Sequence, residues 1–339
     1  MRAWRSRYGV RKALVRILVP LLAVVAVPVV GAAPAYAYGL PRDLGTLNGG
    51  SSMAWAINSY GDIVGTSDWL PVIWLHSGYI EQLPLPYGYI GGTARDINDA
   101  GQAVGMVWDN NYVPRAARWD GTAFGVVLET SAPGGSGAYG INNADQIVGY
   151  ADFGSGYAPA YFSNGVANRV NPNDYGTAYT LSQGSPAVIV GNHTVNGVQT
   201  AYENGIGNPY LDLGQGAAWA VSDDGRTVFG NSVIDGVNRP TKWFWNGSGW
   251  LTTDLGSPGG FTGYINDTNH AGNYSPGGGT DAQGNPVAYV WAGSEGIVTL
   301  PDYGGNCGQR SGTGVDNRTL QIVGFGCTAY GQTHAMLWG

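Results

Sequence analysis

The chain's four histidines, His76, His193, His270 and His334, sit far apart in the sequence. None has a partner at the short spacing that lets one element grip a metal, so no metal site is expected. The carboxylates Asp109, Asp152, Asp174 and Asp302 fall in loop-like segments, where a pair of them could flank a glycosidic bond. Arg95 or Arg115, set beside Tyr112 or His193, could neutralise a uronate and remove its proton, which is the work of a polysaccharide lyase. No Gly-x-Ser-x-Gly element occurs, which argues against an α/β-hydrolase nucleophile. No residue is assigned a catalytic role, and no cofactor is expected.

Aromatic side chains offer a different chemistry. Trp69, Tyr87, Tyr89, Trp108, Tyr112, Tyr157, Tyr175, Tyr274 and Tyr303, with Arg115 and His193, lie in long variable connections rich in Asn, Asp and Gly; Arg310 lies nearby. Tyr and Trp stack on sugar rings or protein surfaces, and loops on a rigid scaffold are where binding concentrates. These residues are the expected ligand-binding set. Cys307 and Cys327 are the only cysteines and are expected to pair with each other.

The address of the chain bears on that pairing. Arg2, Arg5, Arg7, Arg11, Lys12 and Arg16 precede an apolar run from Ile17 to Val30 and then Ala35-Tyr36-Ala37. Basic, apolar and small-x-small segments in that order read as a signal peptide over residues 1–37 and a secreted, extracellular product. Its removal takes six of the 16 basic residues and no acidic ones, leaving 10 against 23, a formal charge of −13. Such a surface repels phosphate backbones and anionic membranes, so neither nucleic acid nor membrane is an expected partner of the mature chain. An extracellular glycan or protein is, bound by a monomer.

An internal repeat explains most of the sequence. An apolar residue, then Asn, Ser or Asp, then a turn, then Val-Gly or an equivalent recurs with hairpins starting near residues 57, 97, 141, 181, 221, 265 and 315. The mean period is 43 residues, so seven copies account for residues 38–339 as one domain. Turns such as Asn58-Ser59-Tyr60-Gly61 open on Asn and close on Gly, as tight turns prefer. Trp74, Trp119, Phe162, Tyr202, Trp245, Trp291 and Trp338 end each third strand and read as packing residues. The position three before each apolar residue, Ala54, Ala94, Ala138, Ala178, Ala218, Thr262 and Gly312, is small, as the narrow inner edge of a wedge requires.

The seventh copy stops at Trp338-Gly339 without a fourth strand, while Leu40 to Gly45 supplies an orphan strand at the other end. The expected fold is therefore an all-β seven-bladed β-propeller, four antiparallel strands per blade, with the N-terminal strand closing the last blade. The units resemble the extracellular HAF-type repeat. The likeness rests on the lead-in Asp43-Leu44-Gly45-Thr46-Leu47-Asn48-Gly49-Gly50, the Ala-x-x-Ile-Asn hairpins and His334-Ala335-Met336-Leu337-Trp338. It implies secretion and a propeller-like fold, and it implies no chemistry. The expected function is a secreted binding or scaffold propeller that recognises a polysaccharide or surface protein through its long-loop face. An extracellular lyase or glycosidase is the alternative.

Overall fold

A computed structural model describes residues 38–171, 175–204, 211–257, 259 and 262–339. The expected signal segment, 1–37, and Asp174 lie outside the described residues. The described residues carry 27 strands and one short 3-10 turn, Gly293–Glu295. No helix among them is long and apolar enough to cross a membrane.

The strands form up-and-down antiparallel sheets. The first holds Ser52–Ile57, Ile63–Ser67, Leu70–Trp74 and Ile80–Gln82 in that order. Five sheets have four strands, and one has seven. The larger sheet arises because the strand Leu211–Val221 belongs to two units. Its first residues pair with Thr200–Glu203, and Gly216 onward pairs with Val228–Ser232. Gly214 and Gly216, at φ of 110° and 145°, make the bend between the two halves.

The two ends of the described chain meet in one sheet. Arg42 pairs with Leu337 and Asp43 with Met336, beside the strands Ile322–Cys327 and Ser311–Val315. His334 Nδ1 lies 2.9 Å from both carboxylate oxygens of Asp43. The Leu44 N–H donates to the Ala335 carbonyl at 2.9 Å.

The core lies between sheets. Val64, Ile73 and Leu83 of the first sheet pack on Ala94, Ile97 and Trp119 of the second. Comparable clusters follow along the chain, and Val323 and Ala335 of the last sheet pack on Ala54, Ile57 and Trp74 of the first. The small column proves necessary, since Ala54, Ala94, Ala138, Ala178 and Ala218 are fully buried. Within each inner hairpin a glycine faces the neighbouring carbonyl at contact too close for a side chain. A Cβ on Gly65, Gly105, Gly149, Gly191, Gly230, Gly277 or Gly324 would stand 1.9 to 2.1 Å from that oxygen.

That glycine column corrects the sixth repeat. Its member is Gly277, so the hairpin turn is Asn269-His270-Ala271-Gly272, three residues later than the sequence pattern suggests. The Asn269 Oδ1 accepts the N–H groups of Asn273 and Tyr274, as the Asn98 Oδ1 accepts those of Ala100 and Gln102. Ile265, not Thr262, then takes the buried inner position. The decoy was Ile265-Asn266, which copies the motif without making its turn.

The aromatic column needs two further corrections. Trp74, Trp119 and Trp338 donate Nε1–H to the carbonyls of Leu44, Pro84 and Pro301 at 2.9, 2.9 and 2.7 Å. In the fifth unit Trp243, not Trp245, makes the matching bond, to Leu213 at 2.9 Å. In the fourth unit Tyr202 pairs directly with Gly191, two residues before the place Trp74 occupies opposite Ile63.

Cys307 and Cys327 form a disulfide across 20 residues of sequence. The Cys307→Ser/Cys327→Ser variant is expected to lose about 3 kcal/mol of stability by the loop-entropy argument, measured by denaturant titration with and without reductant.

Candidate functional site

The inner strands carry a recurrent bulge. Register slips between Ala54 and Ala56, Ala94 and Asp96, Ala138 and Gly140, Ala178 and Thr180, Ala218 and Ala220, and Gly312 and Gly314. A bulge inserts one residue and re-aims its side chain. The inserted residues, Trp55, Arg95, Tyr139, Tyr179, Trp219 and Thr313, all line a cavity of about 160 Å³ bounded by the inner strands. Asn266 lines it from the sixth unit.

Aromatic rings and a guanidinium fill one end of this cavity. Tyr179 stacks on Trp219 with ring centroids 3.9 Å apart, and Tyr139 meets Tyr179 edge-on at 5.7 Å. The Arg95 guanidinium lies 4.1 Å over Trp55 and 5.4 Å from Tyr139. Burial lowers its pKa.

Carboxylates follow toward the short turns. Asp96 accepts the N–H groups of Ile97 and Ile141, both at 2.8 Å, and Asp267 accepts that of Val315 at 3.0 Å. Each therefore stitches its own inner strand to the next unit's. Burial pushes Asp96 up to about 7 and Asp267 up to about 6, against these hydrogen bonds. Repulsion from Asp267 adds to the rise at Asp96.

The mouth is a relay of turn residues. Asp99 accepts the Ser59 N–H, Asn143 that of Asp99, Gln183 that of Asn143, and Asn317 that of His270, at 2.6 to 2.9 Å. The Asn58, Asn98 and Asn142 amides each reach the carbonyl of the next unit's turn. The Asn/Ser column is thus turn and inter-sheet chemistry, as its residue types suggest. His270 pairs with Asp223, and that hydrogen bond raises its pKa.

The shifts at Asp96, Asp267 and His270 are all upward. A carboxyl with a raised folded pKa contributes most below its unfolded value near 4 and loses that contribution as pH rises through the folded value. His270, also raised, contributes below its unfolded value of about 6.5 and loses this at higher pH. At Asp99 burial pushes the pKa up, but hydrogen bonds from Ser59 and Asn143 outweigh it and leave a net lowering, which acts only in stronger acid. Tm is therefore expected to fall from pH 5 to pH 8. Asp96→Asn should flatten that slope, as scanning calorimetry across the range would show.

The residues expected to bind ligand are dispersed over the opposite end, where the second-to-third strand hairpins lie. Trp69 is 80% exposed, Tyr87 fully exposed and Tyr112 74% exposed. Tyr157 and Tyr175 are about half exposed, and the Tyr157 hydroxyl donates to the Gly134 carbonyl at 2.9 Å. Others are structural. Tyr89 packs on the core between the first two sheets, and Trp108 covers Gly91. Arg115 binds the Ala132 carbonyl and lies 3.9 Å from buried Glu129. His193 is buried, with Nε2 2.7 Å from Asp212. The Tyr303 hydroxyl donates to the Pro41 carbonyl, and Arg310 pairs with Asp302. Tyr274 is misplaced by the sequence pattern: it opens the strand Tyr274–Thr280 just after a short turn and packs on the core.

The residues suggested for lyase chemistry fall in different settings, and Arg115, on the same hairpin as Tyr112, is already held by the Ala132 carbonyl. Arg95 lies in the inner cavity, Tyr112 at an exposed hairpin tip, and His193 is buried against Asp212. The sequence pattern also missed Tyr330, 93% exposed in the connection between the last two strands.

Two hairpin tips are unusual. Asn196-Gly197 and Asp235-Gly236 are two-residue turns with both φ positive, the pairs such turns favour. The equivalent turn of the first unit is Asp68-Trp69, with φ of 53° and 67°. In the next unit Tyr112 also holds a positive φ, 58°, after Asp109, whose carboxylate accepts the Asn111 N–H at 2.8 Å.

No protein-family model matches the chain, and no curated protein matches it. Solved structures do. Selenomethionine-substituted virginiamycin B lyase from Staphylococcus aureus is 12% identical, with a TM-score of 0.59, over 89% of this chain and 99% of that one. A streptogramin B lyase structure is 13% identical, with a TM-score of 0.58, over 90% and 99%. TolB from Acinetobacter baumannii is 10% identical, with a TM-score of 0.47, over 84% and 78%. The likeness to the two lyase structures is one of fold: this chain is all-β, built of four-stranded antiparallel units, and propeller-like.

Proposed function

We propose that the chain is a secreted seven-bladed propeller, closed by its N-terminal strand, that binds an extracellular polysaccharide or surface protein through its long-loop face. The observation that carries the reading is Trp69. A large ring stands in the left-handed region at a turn position where equivalent hairpins hold Gly, and nothing buries it. A bulky residue held there costs of order 1 kcal/mol or more, so its retention calls for a use outside folding. In the neighbouring unit's longer hairpin loop Tyr112 is likewise exposed at a positive φ, with Tyr87 exposed on the connection between them. The disulfide, the acidic mature chain and the HAF-type resemblance support the extracellular setting.

The test is a glycan array and a pull-down from cell-surface extracts with the wild type and a Trp69→Gly/Tyr112→Asn variant. The variant should be at least as stable as the wild type, by roughly 1 kcal/mol per relieved turn. It should bind at least about ten-fold more weakly, as loss of two exposed aromatic contacts implies. A wild type that retains nothing in either assay, or a variant that binds equally well, overturns the reading.

A further inference from the structure

Arg95 is placed unlike Arg115, Arg118 and Arg310. Arg115, Arg118 and Arg310 each meet a carboxylate within 4.0 Å or less. Among the described residues Arg95 has no ion pair, and its Nε is shielded from solvent with no hydrogen-bond partner. Two aromatic faces hold it against the wall of the inner cavity. A shielded guanidinium Nε–H with no acceptor and no counter-charge beside it is costly, and such an unsatisfied group in a folded protein asks for an explanation. The same cavity carries the opposite charge in its lining. Asp96 and Asp267 line it toward the turns, close enough to each other to repel.

A plain anion would suit the arginine and be repelled by the carboxylates; a plain cation would meet the reverse. A molecule with both charges suits both ends. Its cationic end should be a primary ammonium, whose three donors match carboxylate and amide oxygens. A quaternary ammonium would need an aromatic cage, and the cavity's aromatic faces are at the arginine end. The volume of about 160 Å³ limits the guest to a small molecule.

We propose that the inner cavity binds a small zwitterion of the α-amino-acid class, its carboxylate on Arg95 and its ammonium on Asp96 and Asp267. This site lies away from the long-loop face and stands or falls separately from it.

Isothermal titration calorimetry of the mature protein with each of the twenty standard amino acids tests it, with acetate and ethylammonium as single-charge probes. At least one amino acid should bind one-to-one and saturably, with both probes weaker by roughly ten-fold or more, as loss of a charge-assisted contact implies. Arg95→Gln and Asp267→Asn should each weaken binding by a similar factor, Arg95→Lys less so, and Trp69→Gly not at all. Absence of binding by every amino acid, or acetate or ethylammonium binding as tightly, overturns the proposal. So does unchanged affinity in folded Arg95→Gln; if that variant does not fold, unchanged affinity in Asp267→Asn does.

Discussion

Gly105→Ala is expected to destabilise the protein severely. The new methyl carbon would stand 2.0 Å from the Thr93 carbonyl oxygen and 2.9 Å from the Ala94 Cα, both backbone atoms that no rotamer change can move. The strands Gly91–Ile97 and Gln102–Trp108 must part to admit it, which breaks ladder hydrogen bonds at the buried inner edge. Overpacking of this kind costs about 3 kcal/mol or more, a large share of the stability of a typical domain. Gly249→Ala is the control, since nothing lies within 4 Å of its Cβ position. Urea titrations followed by tryptophan fluorescence should show a large loss for the first and almost none for the second. Gly277→Ala should behave like Gly105→Ala and Gly272→Ala far more mildly, which independently checks the register of the sixth hairpin.

Trp119→Ala should cost about 3–5 kcal/mol, the range for deleting a buried aromatic. Trp119 is fully buried within the cluster that joins the first two sheets, and its Nε1–H reaches back to the Pro84 carbonyl of the preceding unit. Trp119→Phe separates the two contributions. It keeps much of the apolar contact and leaves the Pro84 carbonyl without its donor, a loss of about 1–3 kcal/mol. Equal destabilisation by Phe and Ala in calorimetry would show that the hydrogen bond dominates. A silent Phe variant would show that packing alone matters.

Much of this architecture was legible in the chain. Each unit must cover its neighbour's face, so it repeats the residues that do so: the alanines of the inner strand, the Val-Gly pair and the tryptophans. The repeat failed where a second solution satisfies the same constraint. In the sixth unit Ile265-Asn266 imitates the motif, yet Gly277 fixes the true register because only glycine fits against a carbonyl at that distance. Tyr202 likewise sits two residues off the tryptophan column, since a ring paired directly with Gly191 fills the same space from another position.

The candidate sites were less legible. Trp69 and Tyr112 were visible as loop aromatics, but their backbone conformation was not. Trp108, Arg115 and His193 looked equally available and are engaged in packing, hydrogen bonding or pairing. Arg95 and Asp96 lie more than 170 residues from Asp267 in the sequence, and nothing local marks them as sharing a cavity.

The sequence by itself determined strand content, repeat length, tight-turn chemistry and the pairing of the two cysteines, because each rests on side-chain size, backbone freedom or composition within a few neighbouring residues. The tertiary structure alone decided which residues share the inner cavity and which exposed rings stand on strained turns. A one-residue bulge turns a side chain from a packed face into the cavity, and that choice depends on the strands on either side rather than on the residue itself.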